Sequence, residues 1–188
     1  AEDFGGQSAN ALIGAGNEVG NTADIINSVE ESKSRIRAAN HLTQVDLDWR
    51  KQMIDRQNDP EFAAKYGEDG SGFAKAFKTD FETFAQAAIS EADPRDRKYI
   101  EQGMYNLGES LMNSSMQFEA QVGSAFAVNT IKKSIDNARV SATMSPEQFT
   151  SIMANAQMVV SQAQHVDPIQ RMQLNEMATR DIAVGAVS

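Results

Sequence analysis

The chain has 188 residues, no cysteine, a formal net charge of −9 and a sequence pI of about 4.7. A length of this order suits one domain, and the lack of cysteine excludes disulfide bonds and thiolate metal sites. The acidic balance argues against specific nucleic-acid binding and against anionic membranes, and no run of about 18 apolar residues predicts a transmembrane segment.

The first twenty residues are rich in glycine, which lowers helix stability by about 1 kcal/mol per position relative to alanine. We therefore predict a flexible Gly-rich start over residues 1–20. The sequence begins without methionine, and its last helical segment shows no stop signal. These two features predict a fragment of a longer chain.

A long helix is predicted next, because no glycine or proline occurs from Asn21 to Gln57. Apolar residues recur there mostly at steps of three, four or seven, which is typical of one helix face. These residues are Ile26, Val29, Ile36, Leu42, Val45, Trp49 and Met53. The uninterrupted length favours a coiled-coil-like element.

Residues 58–72 contain Asp59-Pro60 and three glycines, and this composition predicts a loop. An apolar stripe follows at steps of four, four, three and four, namely Phe73, Phe77, Phe81, Phe84 and Ala88. The stripe indicates a core-facing short helix rather than a ligand pocket. Across the chain we expect six large side chains to be buried: Trp49, Phe77, Phe84, Leu107, Phe118 and Phe149.

Proline marks three later helix starts. Asp93-Pro94 predicts a second long helix that runs to about Ala142, and Asp167-Pro168 predicts the last helix. Ser145-Pro146-Glu147-Gln148 has the pattern of a capping box. The predicted fold is therefore all-α: an elongated helical bundle with two long amphipathic helices and about three shorter ones, as a single domain over 1–188.

The residues that would carry chemistry are sparse and scattered. His41 and His165 are the only histidines, and no H-E-x-x-H spacing occurs. The Asp69–Gly72 loop lacks the alternating acidic ligands of a calcium loop and the lysine of a phosphate loop. Arg95-Asp96-Arg97-Lys98 mixes both signs, which is typical of a helix surface. We predict no catalytic, cofactor-binding or metal-binding residues and no cofactor.

Four stretches carry a family resemblance. They are DFGGQSANALIGAGNEVGN at 3–21, LTQVDLDWRKQMIDRQ at 42–57, SSMQFEAQV at 114–122 and QRMQLNEMATRDIAVGAV at 170–187. They resemble the helical N-terminal region of large bacteriophage internal, ejection or tail-associated virion proteins. Many such proteins carry a murein transglycosylase domain elsewhere in the chain. The resemblance covers most of the sequence and lies in helical pattern and short phrases.

The resemblance implies a structural protein of the virion that assembles with itself and with portal or tail proteins to help deliver the genome. Its implied location is the phage particle, with the host periplasm or envelope after ejection. The alternative is a non-catalytic accessory domain of a virion-associated peptidoglycan-degrading enzyme. A soluble bacterial helical adaptor is a third class.

The transglycosylase chemistry does not carry over to this segment. That family uses a Glu-Ser pair followed downstream by Gly-Leu-Met-Gln, whereas Glu109-Ser110 lies in a predicted long helix with no such stretch after it. We therefore predict that this segment is not an enzyme. A lytic domain, if the parent chain has one, is expected elsewhere in it.

Self-association is also expected from the length of the first long helix. At about 1.5 Å per residue it extends roughly 55 Å, more than a compact domain of this size covers. Its apolar face would then need copies of the same chain, in a ring or tube wall. Acidic walls of that kind would repel DNA.

Overall fold

A computed structural model describes residues 4–187, with side chains described from residue 22 onward. Helices are the only extended regular structure in this range, and no strand occurs there, which confirms the predicted all-α fold with two long helices. The helices are α1 (Phe4–Gln57), α2 (Phe62–Tyr66), α3 (Phe73–Glu91), α4 (Arg97–Met144), α5 (Phe149–Gln162) and α6 (Pro168–Ala186). The predicted flexible start over 1–20 lies outside the residues whose side chains are described.

Contacts within the chain define two compact units. The first unit comprises Ala1–Met53 and Lys78–Leu111, and the second comprises Ile54–Phe77 and Met112–Ser188. Helices α1, α3 and α4 contribute residues to both units. The single domain predicted over 1–188 stays a prediction, because a division of contacts along shared helices does not test independent folding.

In the first unit, one side of α1 faces the core. Its buried or half-buried residues step by four, four, three, four and four: Ser34, Ala38, Leu42, Val45, Trp49 and Met53. This sequence of steps keeps them on one side of the helix. Trp49 contacts Phe81 edge-on, with ring centroids 5.1 Å apart, and lies 5.5 Å from Phe84. These contacts join α1 to α3.

The predicted apolar face of α1 is wrong in its first half. Ile26, Val29 and Ile36 are exposed, whereas the smaller Ser34 and Ala38 are buried. The cause is geometric: continuing the buried side of Trp49 and Val45 toward the N-terminus leads to positions 38 and 34. The sequence pattern had joined residues from two sides of the helix into one face.

Helix α4 begins at Arg97, after a turn in which the Asp93 carboxylate accepts a hydrogen bond from the Arg95 amide at 2.9 Å. Asp93 therefore caps a turn rather than the predicted start of the helix. A β-carbon at Gly103 would overlap the Leu42 side chain, and one at Gly108 would lie 2.9 Å from Phe81. The two glycines therefore let α4 approach α1 and α3 closely within the first unit.

In the second unit, the predicted loop over 58–72 has the observed bounds but contains the one-turn helix α2. Its aromatic side chains cluster with those of α3 and α4: the centroid of Phe73 lies 5.7 Å from that of Phe62 and 5.0 Å from that of Phe118. Gly70 has a φ of 71°, and a β-carbon there would lie 3.0 Å from Val122. Glycine is thus required for both the conformation and the contact.

Helices α4, α5 and α6 enclose an aliphatic core in the second unit. Its fully buried members include Ile135, Val166, Ala178 and Ile182. The Asp167 carboxylate accepts hydrogen bonds from the amides of Ile169 and Gln170, so this predicted cap is confirmed.

The capping box predicted at Ser145 is wrong. No hydrogen bond caps the helix from the Ser145 side chain; residues Pro146–Gln148 form a 3-10 turn before α5 instead. In that turn the Gln148 amide donates to the Ser145 carbonyl at 3.0 Å. The backbone bond takes the role that the serine hydroxyl was expected to have.

The expected burial of large side chains is confirmed for two residues of six. Trp49 and Phe77 are buried, but the other four are only half-buried: Phe84, Leu107, Phe118 and Phe149. A periodic pattern indicates which side of a helix is apolar, but not how deeply each side chain on that side is buried.

Candidate interaction surface

The side of α1 that faces away from the core carries a second apolar stripe, here called the outer stripe: Ile25, Val29, Ile36 and Leu47. These side chains are 64%, 47%, 61% and 58% exposed. Steps of four, seven and eleven residues return to nearly the same helix angle, about half a turn away from Val45 and Trp49. A single exposed aliphatic residue is ordinary, but several on one face form a surface patch of the kind that marks interaction sites.

The outer stripe begins on a part of α1 that makes little contact within its unit. Every residue from 22 to 29 is exposed, and the first half-buried residue is Glu30. Two helical turns bearing Ile25 and Val29 therefore lie open to solvent among the described residues. Such a segment is helical, and its exposed aliphatic side chains are available to pack against another surface.

A charged cluster connects the turn of α1 that follows Glu30 to the start of α4. The Glu31 carboxylate accepts hydrogen bonds from the Tyr99 hydroxyl, from Lys98 Nζ at 3.3 Å and from Arg35 Nη2 at 3.2 Å. The Tyr99 bond, followed by those of Lys98 and Arg35, lowers the pKa of Glu31 to about 2. The guanidinium of Arg35 and the ammonium of Lys98 also lie over the Tyr99 ring.

A second ion pair lies beside this cluster. Arg37 donates two hydrogen bonds to the Asp96 carboxylate, both at 2.9 Å, and one to the Ser34 hydroxyl at 3.1 Å. Asp96 is 7% exposed, so it is not part of the helix surface predicted for residues 95–98. Arg37, followed by Ser34, lowers the pKa of Asp96. Two parallel bonds from a planar guanidinium fix the geometry of this pair.

A groove of about 510 Å³ opens between α1 and α3 in the first unit, lined by Arg37, His41, Phe84, Ala88, Glu91 and Ile100 among others. Its lining combines apolar side chains with charged ones of both signs. These residues can receive an apolar side chain or a helix edge. Among the described residues, no group of three His, Asp or Glu side chains is placed to hold a metal ion.

A smaller groove of about 460 Å³ lies between α5 and α6 in the second unit, where Gln157, Ser161, Arg171 and Asn175 line its polar part. The Nε atom of Arg171 is buried and has no hydrogen-bond partner within the described part of the chain. An acceptor oxygen would satisfy this donor, because a buried N–H without a partner is costly.

The residues considered for chemistry are divided between the two units: His41 and Glu109 belong to the first, and Asp69 and His165 to the second. His41 lines the first-unit groove, and His165 is exposed in the turn before α6. Glu109 is exposed on α4, where its hydrogen bond with Tyr105 raises the pKa of that phenol. The Asp69 carboxylate accepts from the Ser71 amide at 3.1 Å, and this backbone bond lowers its pKa. Asp69 therefore stabilises its own loop.

Two features of this surface were not found from the sequence. The role of Tyr99 had no detectable signal, because Glu31 and Arg35, which share hydrogen bonds with its hydroxyl, are more than sixty residues away in the chain. The outer stripe could have been found from the repeated spacing of isoleucine and valine. Val29 and Ile36 were instead assigned to the same face as Val45 and Trp49.

Comparisons of the chain with protein-family models, curated proteins and solved structures give no match. Among the described helices, none is both long enough and apolar enough to cross a membrane.

Proposed function

We propose that this chain is a structural protein of a bacteriophage particle that assembles with itself and with portal or tail proteins to help deliver the genome. The observation that carries the proposal is the outer stripe of α1, which leaves a second apolar face open on a helix already packed through its first. A helix with two apolar faces can hold its own unit and a neighbour at once. The resemblance to phage virion proteins supplies the biological setting.

The charge of the chain supports a role beside DNA rather than on it. Each copy carries a net charge of −9, so an assembly of copies accumulates negative potential. At least ten of the 17 lysines and arginines already pair with carboxylates, which reduces the number of cations open to phosphates. DNA passing such a surface would be repelled rather than held.

The proposal is tested by measuring native mass for the full chain alone and after mixing with purified portal and tail proteins. We expect self-association alone and a defined complex in the mixture. Replacing Ile36 and Leu47 together by Glu should weaken assembly, whereas Ile169→Glu, at an equally exposed position on α6, should not. A chain that stays monomeric and unbound in every mixture would contradict the proposal.

The segment is proposed to have no catalytic activity of its own. Purified cell wall incubated with the wild-type chain should remain intact, and Glu109→Gln should behave identically. Clearing by the wild type that is lost in this variant would make the segment catalytic and would favour a peptidoglycan-degrading enzyme over a purely structural protein. Wall binding without clearing would favour an accessory domain of such an enzyme.

A further inference from the structure

Among the described residues that line the groove between α5 and α6, Arg171 is the only charged one. Helix α5 itself contains no charged residue. Within the described part of the chain, the half-buried Arg171 side chain has no hydrogen bond or ion pair, and its Nε atom is buried. A partly buried cation without an acid is costly. The groove therefore holds a positive charge that the chain does not neutralise.

The acids nearest to Arg171 in the sequence are Asp167 and Glu176, and neither forms an ion pair with it. Asp167 lies one turn earlier, but its carboxylate accepts hydrogen bonds from two backbone amides at the start of α6. Glu176 is exposed and lies five positions later, about 140° around the helix axis. Helix α6 thus leaves the guanidinium open to an acid from outside the chain.

Two side-chain amides line the groove together with the arginine. Asn175 lies one turn after Arg171 on the same side of α6, and Gln157 belongs to α5. Neither amide forms a hydrogen bond with another described residue, so each keeps its NH₂ group free to donate. The Ser161 hydroxyl, in contrast, already donates to the Met158 carbonyl at 2.8 Å. The groove can therefore offer an anion one guanidinium and two amides.

From this lining we infer that the groove between α5 and α6 binds a monocarboxylate with a short apolar stem. The planar guanidinium of Arg171 matches a carboxylate through two parallel hydrogen bonds, and Val160, Pro168 and Met172 can contact the stem. One cation balances one negative charge, whereas a phosphate dianion would leave excess charge on a chain that already carries −9. The volume of about 460 Å³ suits a small ligand.

This site lies on other helices than the outer stripe of α1, so it goes beyond the proposed function and does not depend on it. A chain that fails to assemble could still bind a carboxylate here, and a chain that assembles could lack the site. The two ideas therefore fail separately.

Arg171→Met measures how much the free chain uses the guanidinium. Methionine keeps an unbranched apolar stem and removes the charge and the unpartnered N–H group. We expect the melting temperature to stay the same or to rise, because no described residue pairs with the lost group. A fall of more than about 3 °C would show that the chain itself holds the guanidinium, and it would overturn the site.

Binding is tested by saturation-transfer NMR of sodium butyrate with the full chain at constant ionic strength, which works for a monomer or an assembly. We expect saturable transfer to the butyrate protons with millimolar affinity. Arg171→Lys keeps the charge but cannot form two parallel bonds, so it should weaken binding at least about fivefold. The matched control is Arg180→Lys, since Arg180 lies on the same helix but pairs with Asp181. Equal binding by the Arg171→Lys variant and the wild type would overturn the inference.

The carboxylate has two possible sources, a free small molecule and an acidic side chain of a polypeptide. A blocked tripeptide with a central glutamate between alanines is the second probe. A peptide that binds at least as tightly as butyrate assigns the site to an acidic side chain, and a weaker one assigns it to a free carboxylate. Inorganic phosphate should displace either probe poorly. Displacement by less phosphate than carboxylate, or no transfer to either probe at about 0.1 M, would overturn the inference.

Discussion

Helix α4 is joined to α1 in the first unit and to α6 in the second, and the two junctions are built from different interactions. Where α4 meets α1, here called the α1 junction, ion pairs and hydrogen bonds surround Tyr99 and Asp96 at the start of α4. The α6 junction consists of buried aliphatic side chains and a close backbone approach at Gly185. The difference teaches that one helix can be held at one end partly by contacts that depend on pH and salt, and at the other by contacts that do not.

The energies of the two kinds of contact differ in origin. Exposed ion pairs contribute little at neutral pH, because water and salt screen them and ordering long side chains costs entropy. Buried aliphatic area contributes about 25 cal/mol per Å² and is insensitive to pH. Substitutions at the α6 junction should therefore have the larger effects.

The largest effect is expected for Ile182→Ala. Ile182 is fully buried between α6 and its neighbours, so truncation should lower the free energy of unfolding by about 2–5 kcal/mol. Met172→Ala on the same helix removes an exposed side chain and should change it by less than about 0.5 kcal/mol. Urea unfolding of both variants checks this. Equal losses would mean that α6 is not packed as described.

The next effect is expected for Gly185→Ala. A β-carbon at this position would overlap the backbone carbonyl of Arg139, which cannot rotate away as a side chain can. We expect a loss of about 1–3 kcal/mol from the forced separation of the helices.

Gly123→Ala is the control for that substitution, since its β-carbon would meet only the Asp69 carbonyl at 3.5 Å, an ordinary contact. It should be neutral or stabilise by up to about 1 kcal/mol through helix propensity. A stabilising Gly185→Ala in the same urea titrations would contradict the close approach of α6 to α4.

Acid should loosen the α1 junction before the α6 junction. The pKa of Glu31 is lowered from 4.5 to about 2 in the folded chain, so its contribution is present above pH 4.5 and is lost as pH falls toward 2. The lowered pKa values of Asp96 and Glu30 act in the same direction. Hydrogen exchange between pH 5 and pH 2.5 should show protection lost first in α1 around residues 30–37. If protection in α6 were lost at the same pH, the two junctions would not differ in their dependence on pH.

The smallest effect is expected for Glu31→Gln at neutral pH. It removes an exposed charge whose partners remain solvated, so the thermal midpoint at pH 7 should change little. The same variant should flatten the acid dependence, because one titrating group is gone. The measurement is a series of melting curves from pH 7 to pH 3 for variant and wild type. An unchanged pH slope would show that Glu31 does not contribute to it.

The sequence was sufficient for features that depend on local chemistry. The end of α1 at Gln57 precedes Asp59-Pro60, and the start of α6 follows from Asp167 capping free amides beside Pro168. Both depend on residues within one turn of the boundary. The loop over 58–72 was bounded correctly for the same reason, although α2 within it was not foreseen.

Features that depend on distant partners were not predictable. Burial of Ser34 and Ala38 in place of Val29 and Ile36 is decided by where α4 lies, and a periodic list of apolar residues carries no such information. Asp96 looked like a surface residue because its neighbours in the chain are exposed cations. Its partner Arg37 is 59 residues away.

The pairing of Arg37 with Asp96 also decides how far α1 can slide along α4. A shift of one helical turn would place Lys33 or His41 where Arg37 lies, and Lys33 would keep a cation near the carboxylate. Neither replacement offers the flat pair of N–H groups that a guanidinium does, and a nearly dry carboxylate with one bond fewer is costly. The alignment of the two helices is thus selected by the shape of the Arg37 side chain, because Lys33 would match its charge but not its shape.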